Sequence, residues 1–162
     1  MIGIGYDIHK LAANKNLILG GIKIPSDFGT IAHSDGDVLI HSIIDAMLGA
    51  ACLGDIGEHF PDTDPQYKNI SSTELLDITN EKLIENGYII NHIDVTIILE
   101  KPNLKDYKPL IKENIALLLD ILPDQVNIKA KTNEQQDSIG KQDAIAVHSI
   151  CLLERVYDLY KT

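Results

Sequence analysis

Asp7-Ile8-His9 places a carboxylate and an imidazole two residues apart near the N-terminus. Strand side chains alternate faces, so Asp7 and His9 project together, while Ile8 is expected to point into the core. That is half of a metal site, although a D-x-H pattern alone is weakly specific. His41 offers a third ligand, because it interrupts an otherwise apolar helical stripe. Asp37 and Asp45 stand four residues before and after it on the same helix face. Either could accept the second ring N–H and fix the tautomer of a metal-bound imidazole. The same row also suits an ordinary solvated helix face. One carboxylate and two imidazoles leave zinc an open coordination position, as a catalytic site requires. Zinc there would act as a Lewis acid on a phosphoryl or carbonyl oxygen.

Two further groups of residues suit a phosphorylated ligand. His33-Ser34 falls where a helix is expected to begin, and free N–H groups and the helix dipole favour an anion there. His33 could add a hydrogen bond or a proton; the plainer reading is that Ser34 only caps. Lys129-Ala130-Lys131-Thr132-Asn133-Glu134 brings a hydroxyl, two cations and a carboxylate together. Glu134 suits a hard ion such as magnesium, which keeps waters and bridges to phosphates. The plainer reading there is a charged strand end. No P-loop, dinucleotide fingerprint, nucleophile elbow or H-E-x-x-H motif occurs.

Eight elements would position these groups, in the order ββααβαββ. The Ile-rich run Met1–Leu11 reads as a strand, and Asn16–Ile24 as a second with a bulge or turn at Gly20-Gly21. Pro25–Ala32 reads as a loop. Ser34 is the expected N-cap of a helix running to about Leu53 and stopped by Gly54. Asp55–Ser71 is a long polar segment, which is more often functional than not. A helix over Ser72–Asn86, a strand over Tyr88–Glu100, a helix over Pro109–Leu122 and a strand over Val126–Thr132 follow. Ala144–Arg155 fits helix or strand and is read as a strand buried on both sides. The pattern predicts an α+β fold, a two-layer sandwich of a mixed β-sheet with helices on one face. The other face then needs cover, for which a second subunit is the natural candidate.

The 162 residues suit one domain, residues 1–162. The formal net charge of -10, without a Lys/Arg cluster, argues against nucleic acid as a partner. No run approaches the ~18 apolar residues of a membrane span, and the N-terminus has no basic leader. Cys52 and Cys151 lie in separate apolar runs and are expected to be buried, reduced thiols. A cytoplasmic location is the default; a plastid is the alternative if a transit peptide has been removed.

Gly5-Tyr6-Asp7-Ile8-His9, the block Ala32–Pro65, Asp94–Ile98 and Asn127–Glu134 resemble the 2-C-methyl-D-erythritol 2,4-cyclodiphosphate synthase family of non-mevalonate isoprenoid synthesis. The resemblance spans nearly the whole chain. It implies conversion of 4-diphosphocytidyl-2-C-methyl-D-erythritol 2-phosphate to the cyclic diphosphate and CMP. It implies zinc held by Asp7, His9 and His41, and Mg2+ or Mn2+ held by Glu134 against the diphosphate. His33 and Thr132 would stabilise the transition state, and Ser34 would contact phosphate. Asp55, Ile56 and Gly57, with Phe60, Pro61, Asp62, Thr63 and Asp64, would line the methylerythritol part. Leu99, Pro102 and Lys105 would form a cytidine pocket; Lys131, Asn133 and Lys141 would complete the substrate contacts. The resemblance also implies a homotrimer with sites between neighbouring subunits. The chain departs from the family pattern at Lys131–Glu134, where a T-T-T-E-like run is usual, at Ser138 and Lys141, where an aromatic and an arginine are common, and at His148, where a glutamate is. A zinc phosphohydrolase on a related scaffold and a non-catalytic trimeric metal- or isoprenoid-binding protein are the competing readings.

Overall fold

The computed structural model describes residues 1–32, 34–61, 63–67 and 70–156. In chain order it contains β1 (Ile2–Ala13), β2 (Leu17–Leu19), β3 (Ile22–Ile24), β4 (Phe28–Thr30), α1 (Val38–Ala51), α2 (Ile56–His59), α3 (Ser72–Glu85), β5 (Tyr88–Ile98), α4 (Lys108–Leu118), β6 (Val126–Lys131), α5 (Asp137–Gly140) and β7 (Ala144–Arg155). Short 3-10 turns cover Pro65–Tyr67 and Pro123–Gln125. The main sheet has the order β4-β1-β7-β5-β6, and β2 and β3 form a separate hairpin. β5 and β6 are parallel and the other pairs antiparallel, so the sheet is mixed and the fold is α+β, as the sequence predicts.

Several boundaries differ from the sequence reading. Asn16–Ile24 is not one strand. It folds back at Gly20 and Gly21, whose φ values of 61° and 75° suit a two-residue hairpin turn. The Pro25–Ala32 loop contains β4, which pairs with the end of β1. Asp55–Ser71 carries α2 and a 3-10 turn, and α5 interrupts the segment before β7. α4 ends at Leu118, because Asp120 takes a left-handed φ of 54°.

α1 is capped at a different residue from the expected Ser34. Ser34 lies in a turn, its Oγ accepting from Gly36 N at 3.2 Å. The N-cap is Asp37, which is fully buried. Its carboxylate accepts from Ile40 N at 3.1 Å, Gly20 N at 3.0 Å and Gly21 N at 2.6 Å. One side chain therefore caps α1 and ties it to the β2–β3 turn. The helix start expected at Ser34 lies instead at Asp37, where the chain's own carboxylate caps it, and Ser34 stays in the turn before it. At its other end α1 stops at Cys52, with φ 58°, before the predicted Leu53. That cap position leaves Cys52 exposed, contrary to expectation. Cys151 is buried, and burial pushes its thiol up to about 12.

α1 lies across β1 and β7, with α3 against α1 and β5, and α4 against β6. Val38, Ile43 and Met47 of α1 join Ile93, Val95, Ile97, Val147 and Cys151 of the sheet in the core. Gly3 and Gly5 let β1 touch the helix backbone directly. A Cβ at Gly5 would sit 1.9 Å from Ser42 O, and one at Gly3 2.2 Å from Ala46 O. Beneath this contact the buried Ser42 Oγ donates to Leu39 O at 2.9 Å and accepts from Ser149 Oγ at 2.6 Å.

The opposite sheet face is open and apolar. Ile4 pairs with Ile150 and Ile2 with Leu152 in register, and Ile2 and Ile4 are each 70% exposed. Ile8 and Ile150 also lie on this side, which corrects two expectations: Ile8 does not point into the core, and β7 is buried on both faces only over Ala144–Val147, with alternation from His148 onward. Asp7 and His9 are the ones that face the helices. Tyr6 packs beside His148 on the open face, with ring centroids 4.8 Å apart and the planes tilted by 41°. Among the described residues, no helix is long and apolar enough to cross a membrane.

Candidate metal centre and substrate cleft

β1 delivers Asp7 and His9 side by side, and α1 delivers His41 from above. His9 Nε2 lies 3.0 Å and His41 Nδ1 3.1 Å from Asp7 Oδ2. One donor atom from each of the three residues falls within 4.8 Å of the others, so the group can hold a metal ion. All three are half-buried. A carboxylate oxygen and two imidazole nitrogens match the donor types zinc prefers.

The outer hydrogen bonds also fit a metal. His9 Nδ1 lies 3.2 Å from the Gly36 carbonyl, which can accept its N–H and leave Nε2 facing Asp7. His41 Nε2 lies 2.9 Å from Ser72 Oγ, leaving Nδ1 toward Asp7. Neither aspartate proposed for this task performs it. Asp37 is committed to Gly20, Gly21 and Ile40, and Asp45 accepts from Ile56 N at 2.9 Å. Ser72, the first residue of α3, was not a candidate in the sequence, because a serine at a helix start reads as a cap. The cap is its neighbour Ser71, which accepts from Glu74 N.

The carboxylate and imidazoles polarise one another. Partial burial pushes Asp7 up, but hydrogen bonds from His41 and His9 outweigh it and hold Asp7 well below the usual carboxylate range. Burial pushes His9 down, but the Asp7 hydrogen bond and charge outweigh that and raise it. Burial raises Asp45 despite its bond from Ile56 N.

The triad opens into a cleft of 1220 Å³. Asp7, His9, Ser34, Ile56, Gly57, Phe60, Pro61, Thr63 and Asp64 line it, nine of the expected substrate contacts. Asp45 and Tyr67, which the sequence did not offer as contacts, line it too. Asp55 is not in the lining; it caps α2 by accepting from Glu58 N at 3.0 Å. Phe60 is fixed edge-on against Tyr67, ring centroids 5.3 Å apart. His33 and Asp62 lie outside the described residues.

The remaining candidates form a second cluster beyond the ends of β5 and β6. Leu99 N donates to Lys131 O at 2.9 Å, and Asn133 N to Glu100 Oε2 at 3.1 Å. Thr132 Oγ1 donates to Glu134 Oε1 at 2.9 Å. Glu134 and Gln135 hold left-handed φ values of 50° and 60°, which fold the carboxylate back onto the hydroxyl. A cis bond precedes Pro102, Lys105 N donates to Asn103 Oδ1 at 2.8 Å, and Lys141 closes α5. None of Leu99, Pro102, Lys105, Lys131, Thr132, Asn133, Glu134 or Lys141 lines the cleft with the triad. Asp7 pairs with Val147, Val147 with Ile97, and Ile97 with Ala130, so β7 and β5 stand between the metal group and β6. At ~4.8 Å per strand that is roughly 14 Å across the sheet.

A model of the YgbB family matches residues 1–154. The chain belongs to the YgbB family. Among curated YgbB-like relatives, it is 49% identical over 157 residues to the 2-C-methyl-D-erythritol 2,4-cyclodiphosphate synthase of Agathobacter rectalis, covering 97% of this chain and 89% of that one. It is 53% identical over 152 residues to the enzyme of the same name from Clostridium perfringens, covering 94% and 97%. Its fold matches the bifunctional IspDF of Campylobacter jejuni with a TM-score of 0.91 at 44% identity, covering 97% of this chain and 42% of that longer chain. It matches a CDP-bound 2C-methyl-D-erythritol-2,4-cyclodiphosphate synthase with a TM-score of 0.89 at 31% identity, covering 95% and 100%.

Proposed function

We propose that this chain converts 4-diphosphocytidyl-2-C-methyl-D-erythritol 2-phosphate to 2-C-methyl-D-erythritol 2,4-cyclodiphosphate and CMP, in isoprenoid precursor synthesis. The observation that carries the reading is the convergence of Asp7, His9 and His41 on one cleft in a chain half identical to enzymes of that name. An oxygen of the substrate's 2-phosphate attacks its own β-phosphorus. The bond from that phosphorus to the bridging oxygen breaks, and the oxygen departs with CMP. No water is consumed and no enzyme nucleophile is required, so the protein's work is positioning and charge neutralisation. Zinc held by Asp7, His9 and His41, with Mg2+ or Mn2+ held by Glu134, would supply that neutralisation along the diphosphate.

The chain's own groups have separate tasks. Gly36 and Ser72 orient the two imidazoles. Phe60 and Pro61 present an apolar wall to the methylerythritol carbons, and Asp64 a polar group to its hydroxyls. Ser34 and His33 receive phosphate from one side, Thr132 and Lys131 from the other. Leu99, Pro102 and Lys105 receive the cytidine, and Asn133 and Lys141 approach the nucleotide phosphates. These last groups are remote from the triad within one chain, which supports a site completed by a neighbouring subunit. The open apolar sheet face supports the same conclusion, and the assembly we propose is a homotrimer. A cytoplasmic location belongs to the same proposal and is supported by the bacterial relatives.

Phosphorus NMR of the products tests the reaction. Cyclic diphosphate with CMP is expected. Linear bisphosphate with CMP would instead identify a hydrolase and overturn the proposal.

A further inference from the structure

We infer that Asp35 and Ser72 are positioning residues that fix the tautomer of His41 and so set the affinity of the metal centre; the inference rests on the metal reading of Asp7, His9 and His41. The carboxylate of Asp35 can only accept. Its Oδ2 takes the Ser72 backbone N–H at 2.9 Å. Its Oδ1 takes the Ser72 hydroxyl proton, together with the Asp37 N–H at 3.2 Å. Ser72 is fully buried and has one hydroxyl proton. With that proton committed to Asp35, the Ser72 oxygen presents a lone pair to His41 Nε2 at 2.9 Å. Nε2 must therefore carry a ring hydrogen, which makes Nδ1, 3.1 Å from Asp7 Oδ2 on the side of the ligand group, the nitrogen that gives up its proton to a cation.

The direction of the chain is what matters. A carboxylate at its far end forces every proton to point away from the metal. An amide at position 35 would break that rule, since its NH2 can donate to Ser72 Oγ. The hydroxyl could then donate to Nε2, moving the ring hydrogen to Nδ1, where it blocks a cation. The relay also joins elements distant in sequence. Asp35 precedes α1 and Ser72 opens α3, so the same bonds dock the start of α3 beside the helix that carries His41.

The experiment compares zinc affinity, by competition with a chromophoric chelator, for the wild type and for His41→Ala, Ser72→Ala, Ser72→Thr and Asp35→Asn. It is paired with 15N NMR of the His41 ring in the zinc-free protein at alkaline pH. Ser72→Ala and Asp35→Asn should each weaken zinc binding about 10–100-fold. Ser72→Thr keeps the hydroxyl and should bind close to the wild type. The NMR should report Nε2–H in the wild type and Ser72→Thr, with Nδ1–H gaining in Asp35→Asn. If the wild type takes up no zinc, or His41→Ala keeps it, the metal reading itself fails. If the wild type binds and Ser72→Ala and Asp35→Asn match it, or Ser72→Thr is as weak as Ser72→Ala, the positioning role is overturned.

Discussion

Replacing Gly5 by alanine tests whether the backbone contact between β1 and α1 sets the spacing of the metal ligands. The added Cβ would lie 1.9 Å from Ser42 O and 2.7 Å from Ala46 N. A carbon and a carbonyl oxygen approach no closer than about 3.3 Å. The helix must retreat by roughly 1.4 Å, or β1 must bend away by as much, to restore that contact. Ser42 directly follows His41, so the retreat draws His41 from Asp7, now 3.1 Å away. Metal sites tolerate only about ±0.2 Å in ligand distance. A misplacement near ~1 Å costs on the order of 10²-fold in turnover. Overpacking costs about 1–3 kcal/mol, and loosening the buried Ser42–Ser149 bond adds about 1 kcal/mol. Gly49→Ala is the control on the same helix. Its Cβ would meet only Ile4 O at 4.0 Å, and alanine in a helix interior should stabilise by up to ~1 kcal/mol. Urea unfolding with zinc competition and CMP release measures all three quantities. Wild-type stability and zinc affinity in Gly5→Ala would refute the reasoning.

Three other outcomes follow from the geometry. Zinc affinity should begin to fall, as pH is lowered, at a higher pH than an ordinary histidine would give, because Asp7 raises His9 and a protonated His9 cannot ligate; chelator competition across pH checks this. Burial pushes Asp37 up to about 6, above its unfolded value. Its stabilising contribution is therefore full below the unfolded value near ~4 and lost as pH rises through the folded one, by a few kcal/mol on the order of 1.4 per unit. Asp37→Asn should remove that pH-dependent component and the acceptor for Gly21 N, costing about 1–3 kcal/mol where the wild type is protonated; unfolding at acid and neutral pH checks both. Inactive His41→Ala and Thr132→Ala proteins, unfolded and refolded together in equal amounts, should recover about one quarter of wild-type turnover if each site pairs the triad of one subunit with Thr132 of the next. No recovery would place both halves within one chain.

The long elements were legible because each carries its own period. Alternation marks β1 and β5, and the 3.6-residue stripe marks α1 and α3. Alternation says which residues share a face, not which face is covered, so it cannot by itself place Ile8 on the open side. β4 is three residues long, too short for any period, and exists through its pairing with β1. Ser34 and Asp37 are both good caps by type; the choice is made by the N–H groups of Gly20 and Gly21, a contact across the fold. The triad was readable because three unusual residues interrupt apolar patterns. Its support was not, because Ser72 and Gly36 resemble ordinary turn and cap residues until the chain brings them to the imidazoles.

Metal analysis of purified wild-type and His41→Ala protein tests the central claim most directly. The wild type should carry stoichiometric zinc after exposure to the ion and desalting, and folded His41→Ala should carry essentially none. Full zinc occupancy in the folded variant would contradict the account.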